Sequence, residues 1–86
     1  MANMMIIGEG GSINPERVLM LVSMKSAPVR RLVKQLSPDR VVNMTYGYPQ
    51  RTLIIFDNGL MAITHHSLKR LSVAISQAEE LDHEDG

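Results

Sequence analysis

Two apolar runs that fail to alternate constrain this fold more than anything else in the sequence. Val18-Leu19-Met20-Leu21-Val22 is entered through Asn14-Pro15 and left at Ser23, and Leu53-Ile54-Ile55-Phe56 is the second run. A strand with one wet face alternates apolar and polar residues, so both runs read as strands buried on both faces. The chain has only 86 residues, room for one domain that buries a limited fraction of its surface. Such a domain has little to cover a doubly apolar sheet with. The simplest remaining cover is another subunit, so the sequence predicts a homo-oligomer.

Turn residues divide the rest of the chain. Met4–Ile7 is a short apolar run ended by Gly8-Glu9-Gly10-Gly11, and it reads as a first strand followed by a tight turn. Ser26 is placed to cap a helix over Ala27–Leu36, with Pro28 in its first turn. Val29, Leu32, Val33 and Leu36 form its apolar stripe, and Ser37-Pro38 stops it. Val41–Tyr46, Arg51–Phe56 and Leu60–Thr64 read as strands, the first two joined by a turn at Gly47-Tyr48-Pro49-Gln50. Asn58-Gly59 is the strongest hairpin signal. Ser67 then caps a second helix whose stripe is Leu68, Leu71, Ala74, Ile75 and Ala78, with fraying expected from about Glu79. The predicted fold is α+β, a small single domain with mostly antiparallel sheet and two helices in the order β-β-α-β-β-β-α. The domain spans residues 1–78, with an acidic tail over 79–86.

Composition removes several classes of function. There is no cysteine, which excludes disulfides, thiolate metal sites and cysteine nucleophiles together. No run approaches a membrane span and no signal peptide is visible, so the expectation is a cytoplasmic chain without membrane partners. His65 and His66 end a strand, where neighbouring side chains point to opposite faces and cannot share one metal. His83 falls in the tail. The Gly8–Gly11 loop lacks the helix that a dinucleotide fingerprint must open. No nucleophile–base pair is visible. Neither enzyme activity, metal, cofactor nor small-molecule ligand is expected. The seven methionines read as core filler. Three aromatic residues, Tyr46, Tyr48 and Phe56, are too few for a single-strand stacking platform.

Charge points to a partner. All nine Lys and Arg residues fall at or before Arg70 against four acids, leaving that part at +5. Glu79, Glu80, Asp82, Glu84 and Asp85 then leave the tail at −5. A basic body of this size can be the footprint of a nucleic-acid binder, and the tail a solvating device or a self-competing mimic of the polyanion. Arg30, Arg31 and Lys34 lie off the apolar stripe of the first helix, with Arg17 and Arg51 at strand mouths. Together they can form one positive surface. A basic outer helix face is also commonly just a solvated face. Spacing leaves both readings open.

Several segments taken together carry a resemblance. Arg17 ahead of an apolar strand, Ser26-Ala27-Pro28-Val29-Arg30-Arg31, Thr45-Tyr46-Gly47, and Arg51 with Leu53-Ile54-Ile55 and Asp57 resemble the RemA family of small bacterial regulators of extracellular-matrix (biofilm) genes. The similarity covers roughly Met5 to Leu71. It implies a transcription regulator that binds double-stranded DNA and assembles into closed rings, with arginines around the ring meeting the DNA backbone. Arg17 and Arg51 match position by position, and Arg30 and Arg31 match the family's basic helix pair, with Lys34 beside them. Family members usually carry a basic pair directly after Tyr-Gly; here those positions are Tyr48 and Pro49. The resemblance therefore carries the fold and ring further than the DNA site. The alternative is a ring of the same fold that serves as a structural or protein-interaction module.

Overall fold

The computed structural model describes residues 4–7 and 11–77. The expected glycine turn, apart from Gly11, and the acidic tail with its expected fraying lie outside the described residues. Within them the elements are β1 (Met5–Ile6), β2 (Ser12–Ile13), β3 (Val18–Ser23), α1 (Ala27–Gln35), β4 (Val41–Asn43), β5 (Thr52–Phe56), β6 (Met61–Thr64) and α2 (Leu68–Gln77). Short 3-10 turns at Pro15–Arg17 and Pro38–Arg40 lead into β3 and β4. The fold is α+β and mostly antiparallel, as the sequence predicts.

β3, β5, β6 and β4 lie side by side in that order. β5 pairs antiparallel with β3 and β6, whereas β4 runs parallel to β6. β1 does not join this sheet. It forms a two-stranded ribbon with β2, a strand that the apolar pattern does not signal. β4 also stops earlier than Tyr46. The Asn43 carboxamide accepts the Thr45 N–H at 3.0 Å and the Thr45 hydroxyl at 2.6 Å, which turns the backbone away from the ladder. Tyr46 and Gly47 then adopt φ of 52° and 92°.

The hairpin at Asn58-Gly59 forms, but as a three-residue loop. Gly59 N donates to Phe56 O and Phe56 N to Leu60 O. Gly59 alone takes the left-handed conformation there, at φ 89°, the arrangement of a type I turn closed by a glycine bulge. Ser26 occupies the N-cap position of α1 without a side-chain cap bond. Ser67 does cap α2, its hydroxyl accepting the Arg70 N–H at 3.1 Å. In the turn between α1 and β4, the Ser37 hydroxyl donates to Asp39 at 2.6 Å and holds that carboxyl below the usual aspartate value.

The core has two layers, one on each face of the sheet. Ile54 and Ala62 pack with Leu71 and Ala74 of α2, with Met44, and with Met5, Ile7 and Ile13 of the ribbon region. On the opposite face Leu53 and Ile63 pack with Met24, flanked by Val29 and Val33 of α1. β5 is therefore apolar on both faces because this single chain covers both; Leu53 and Ile54 are fully buried. That corrects the expectation that this run needs a second subunit. β3 differs. It is an edge strand, and Leu19 and Met20 remain 65% and 49% exposed.

Candidate nucleic-acid interface

The antiparallel pairing of β3 with β5 decides where the candidate arginines stand. Val18 pairs with Phe56 and Ser23 with Thr52, so Arg17 and Arg51 precede strands that start from opposite ends of the sheet. Six residues of extended chain separate Arg51 from Asp57 beside Arg17, about 20 Å at the usual strand rise. Within one chain they do not form a common surface.

At the Arg51 end the backbone gathers three segments. Arg51 N donates to Thr64 O, and Arg51 O accepts from Met24 N, both at 2.9 Å. Arg30, from the first turns of α1, folds back so that its Nη1 donates to Met24 O at 3.0 Å and Lys25 O at 2.8 Å. Those bonds fix the guanidinium over the turn between β3 and α1, and the other donors of its fork are available to a ligand. α2 starts at the same end, since Thr52 Oγ1 donates to His66 O at 2.7 Å just ahead of Ser67. Lys69 and Arg70 thereby join Lys25, Arg30 and Arg51. The described acids Glu16, Asp39 and Asp57 all lie toward the other end, by the turns that precede β3, β4 and β6. The described part of the domain is thus electrically polar along its strands, with a basic end that holds none of the described acids.

Of the residues singled out in the sequence, Arg30 and Arg51 are brought together. Arg31 follows Arg30 on α1 and is exposed; Lys34 is exposed in the last turn of the same helix, further from Arg51. Arg17 forms an ion pair with Asp57, Nη1 to Oδ2 at 3.2 Å. Lys25, Lys69 and Arg70 were missed. They are scattered along the chain, and only the strand directions place them at one end.

Tyr48 and Pro49 project from the loop that leads into Arg51. Tyr48 stacks on His65 with ring centroids 4.6 Å apart and 23° between planes. Both histidines turn inward, contrary to the expectation of opposite faces. The backbone bends after Thr64, where His66 N donates to Thr64 Oγ1. His65 and His66 are buried with centroids 4.1 Å apart. Among the described residues no three His, Asp or Glu side chains converge into a metal-binding group, and no helix is long and apolar enough to cross a membrane.

A second surface lies at the Arg17 end. An open groove of about 570 Å³ runs between the ribbon and the sheet, walled mainly by Met4, Ile13, Val42, Met44, Phe56 and Leu60. Its rim carries Arg17 and Asp57. This concavity is apolar and close to neutral.

The model of the RemA-like family, extracellular matrix regulatory protein A-like, matches residues 4–74. The chain belongs to that family. It is 28% identical over 79 residues to a protein of Bacillus cereus AH187 described as a "putative regulatory protein", with 91% of each chain covered. Proteins of Bacillus cytotoxicus and Bacillus mycoides with the same description are 27% identical over the same share of each chain.

Proposed function

We propose that this protein is a DNA-binding transcription regulator of extracellular-matrix genes that works as a homo-oligomeric ring. Arg51, Arg30 and Arg31 of each subunit meet the phosphate backbone of the duplex, with Lys34 adding charge from the far end of α1. The observation that carries this reading is the basic end built by Lys25, Arg30, Arg51, Lys69 and Arg70, where none of the described acids lies. Family membership and the names of the Bacillus relatives supply the regulatory role. Phosphate contacts need positive charge held at the surface on a rigid frame, and the backbone of Arg51 and the guanidinium of Arg30 are both tied to Met24 at the end of β3. One subunit offers few contacts; repetition around a ring multiplies them.

The test is duplex binding by the native chain and Arg51→Ala across a salt series. Binding that weakens steeply with salt, and much more weakly salt-dependent binding by the variant, is the expected result. No binding by the native chain at low salt would favour the second reading, a ring that binds protein. One observation speaks for that reading: the positions of the family's basic pair are held by Tyr48, stacked on His65, and by Pro49.

A further inference from the structure

We propose that subunits join head to tail, the bulged edge of β3 on one copy inserting Leu19 and Met20 into the groove between ribbon and sheet on the next. The proposal deepens the ring reading above, on which it rests, by naming the two surfaces that meet. Three observations converge on a second copy as the occupant.

The first is the bulge. The register of β3 against β5 shifts between Val18 and Met20, so that Leu19 has no partner residue. A bulge on an edge strand re-aims the side chain it carries. Here that residue is the most exposed large apolar side chain described. Edge strands of free-standing domains are blunted with charge or proline, yet no charged residue or proline lies between Arg17 and Lys25. This edge is built to be covered.

The second is a matching concavity in the same chain. The groove is walled by apolar side chains, among them Val42 on edge strand β4 at 55% exposure and Leu60 at 40%. The Arg17–Asp57 pair at its rim neutralises itself. A neutral apolar hollow is no place for a polyanion, but it fits an uncharged apolar edge.

The third is that knob and hollow cannot meet within one chain. Met20 pairs with Ile55, on the α1 face, whereas Val42 pairs with Ala62, on the α2 face. β3 and β4 are also the two opposite edges of the sheet. Two different surfaces that complement one another make a heterologous contact, which gives a ring when the rotation closes.

The experiment uses Leu19→Glu as a knob variant and Val42→Glu as a hollow variant, both at exposed positions and both acidic, so that no new ion pair can rescue them. Met20→Glu repeats the knob arm at a second residue, and circular dichroism confirms that each chain is folded. In light scattering without DNA, each variant alone should fall to the 9.6 kDa mass of one chain. An equimolar mixture of knob and hollow variants should recover a 1:1 pair of twice that mass, because one intact knob then faces one intact hollow. Unchanged assembly of Leu19→Glu and Met20→Glu overturns the interface and leaves the ring reading standing. Monomeric variants that do not recover on mixing also overturn it, since the mixture supplies one intact knob and one intact hollow, and so does a Val42→Glu chain that still assembles, the result of a symmetric contact between two β3 edges. A native chain that is itself monomeric overturns both.

Discussion

Arg17 Nη1 stands 3.2 Å from Asp57 Oδ2, and the backbones of the two residues are joined as well, Asp57 N donating to Arg17 O at 2.8 Å. The pair closes the end of the sheet where β3 begins and β5 finishes. It also separates two arginines that look equivalent in the sequence. Arg17 already has a carboxylate beside it, whereas Arg51 stands at the end without described acids. An exposed pair of this kind contributes at most about 1 kcal/mol to stability, so its larger consequence is electrostatic.

Arg51→Ala is expected to weaken duplex binding more than Arg17→Ala. Removing one arginine–phosphate interaction flattens the slope of log K against log salt by about 0.9, and the change is repeated in every engaged subunit. Asp57→Asn should tighten binding at low salt by freeing the Arg17 charge, and the gain should vanish in Arg17→Ala. Salt titrations of the four variants on two unrelated duplexes check this. Similar losses on both duplexes are expected, since phosphate contacts do not read sequence.

Ile54→Asp is expected to unfold the chain rather than merely disassemble it. Ile54 is fully buried between β3 and β6 and packs toward α2. An unpaired charge there costs about 4 kcal/mol or more, a large share of a small domain's stability. Loss of the cooperative thermal transition is the readout. A folded monomer from this variant would show that β5 depends on neighbouring subunits after all.

Gly59→Ala tests the hairpin. The glycine sits at φ 89°, and a Cβ there would come 3.0 Å from Arg40 Nη2. The arginine tip can move aside, so backbone strain dominates, about 1–2 kcal/mol for a left-handed alanine. A melting point lower by about 5 °C or more is expected for a domain of this size.

These variants follow the line between what was legible in the sequence and what was not. Local signals reported local structure well: Pro28 and the 29/32/33/36 stripe placed α1, and Asn58-Gly59 placed the hairpin. Long-range consequences were hidden. An apolar run such as Leu53–Phe56 looks the same whether its second face is covered by its own helix or by another chain, because periodicity records burial and not its source. Only the strand order, with β5 inside and β3 at the edge, separates the two cases. The positive surface was half legible for the same reason. Arg30 and Arg51 were found by residue type, but the antiparallel register sends Arg17 to the other end and brings in Lys25, Lys69 and Arg70. The parallel placement of β4 and the side-chain turn at Asn43 left no distinctive pattern.

The loop ahead of Arg51 yields a prediction that separates stability from binding. Tyr48→Ala loses the stack on His65 and should cost about 0.5–1.5 kcal/mol of stability beyond the area uncovered. Pro49 is exposed, so Pro49→Arg should leave the melting point nearly unchanged. It restores a basic side chain two residues before Arg51, and should strengthen duplex binding and steepen its salt dependence by about one phosphate contact per engaged subunit. Denaturant unfolding and a salt titration on the same two variants check both halves.

Removal of residues 79–86 tests the segregation of charge along the chain. That segment carries five acids and no Lys or Arg, repeated on every subunit of an assembly. If the arginines bind DNA as proposed, this charge would compete with the duplex for them over distances set by the Debye length, about 10 Å at 0.1 M salt and longer when dilute. Truncation should therefore tighten duplex binding at low salt, with the difference from the full chain shrinking as salt rises. Assembly should be unchanged, because the surfaces proposed to join subunits are named within residues 4–62. If affinity and salt dependence both match those of the full chain, the acidic segment solvates the protein and does not regulate its access to DNA.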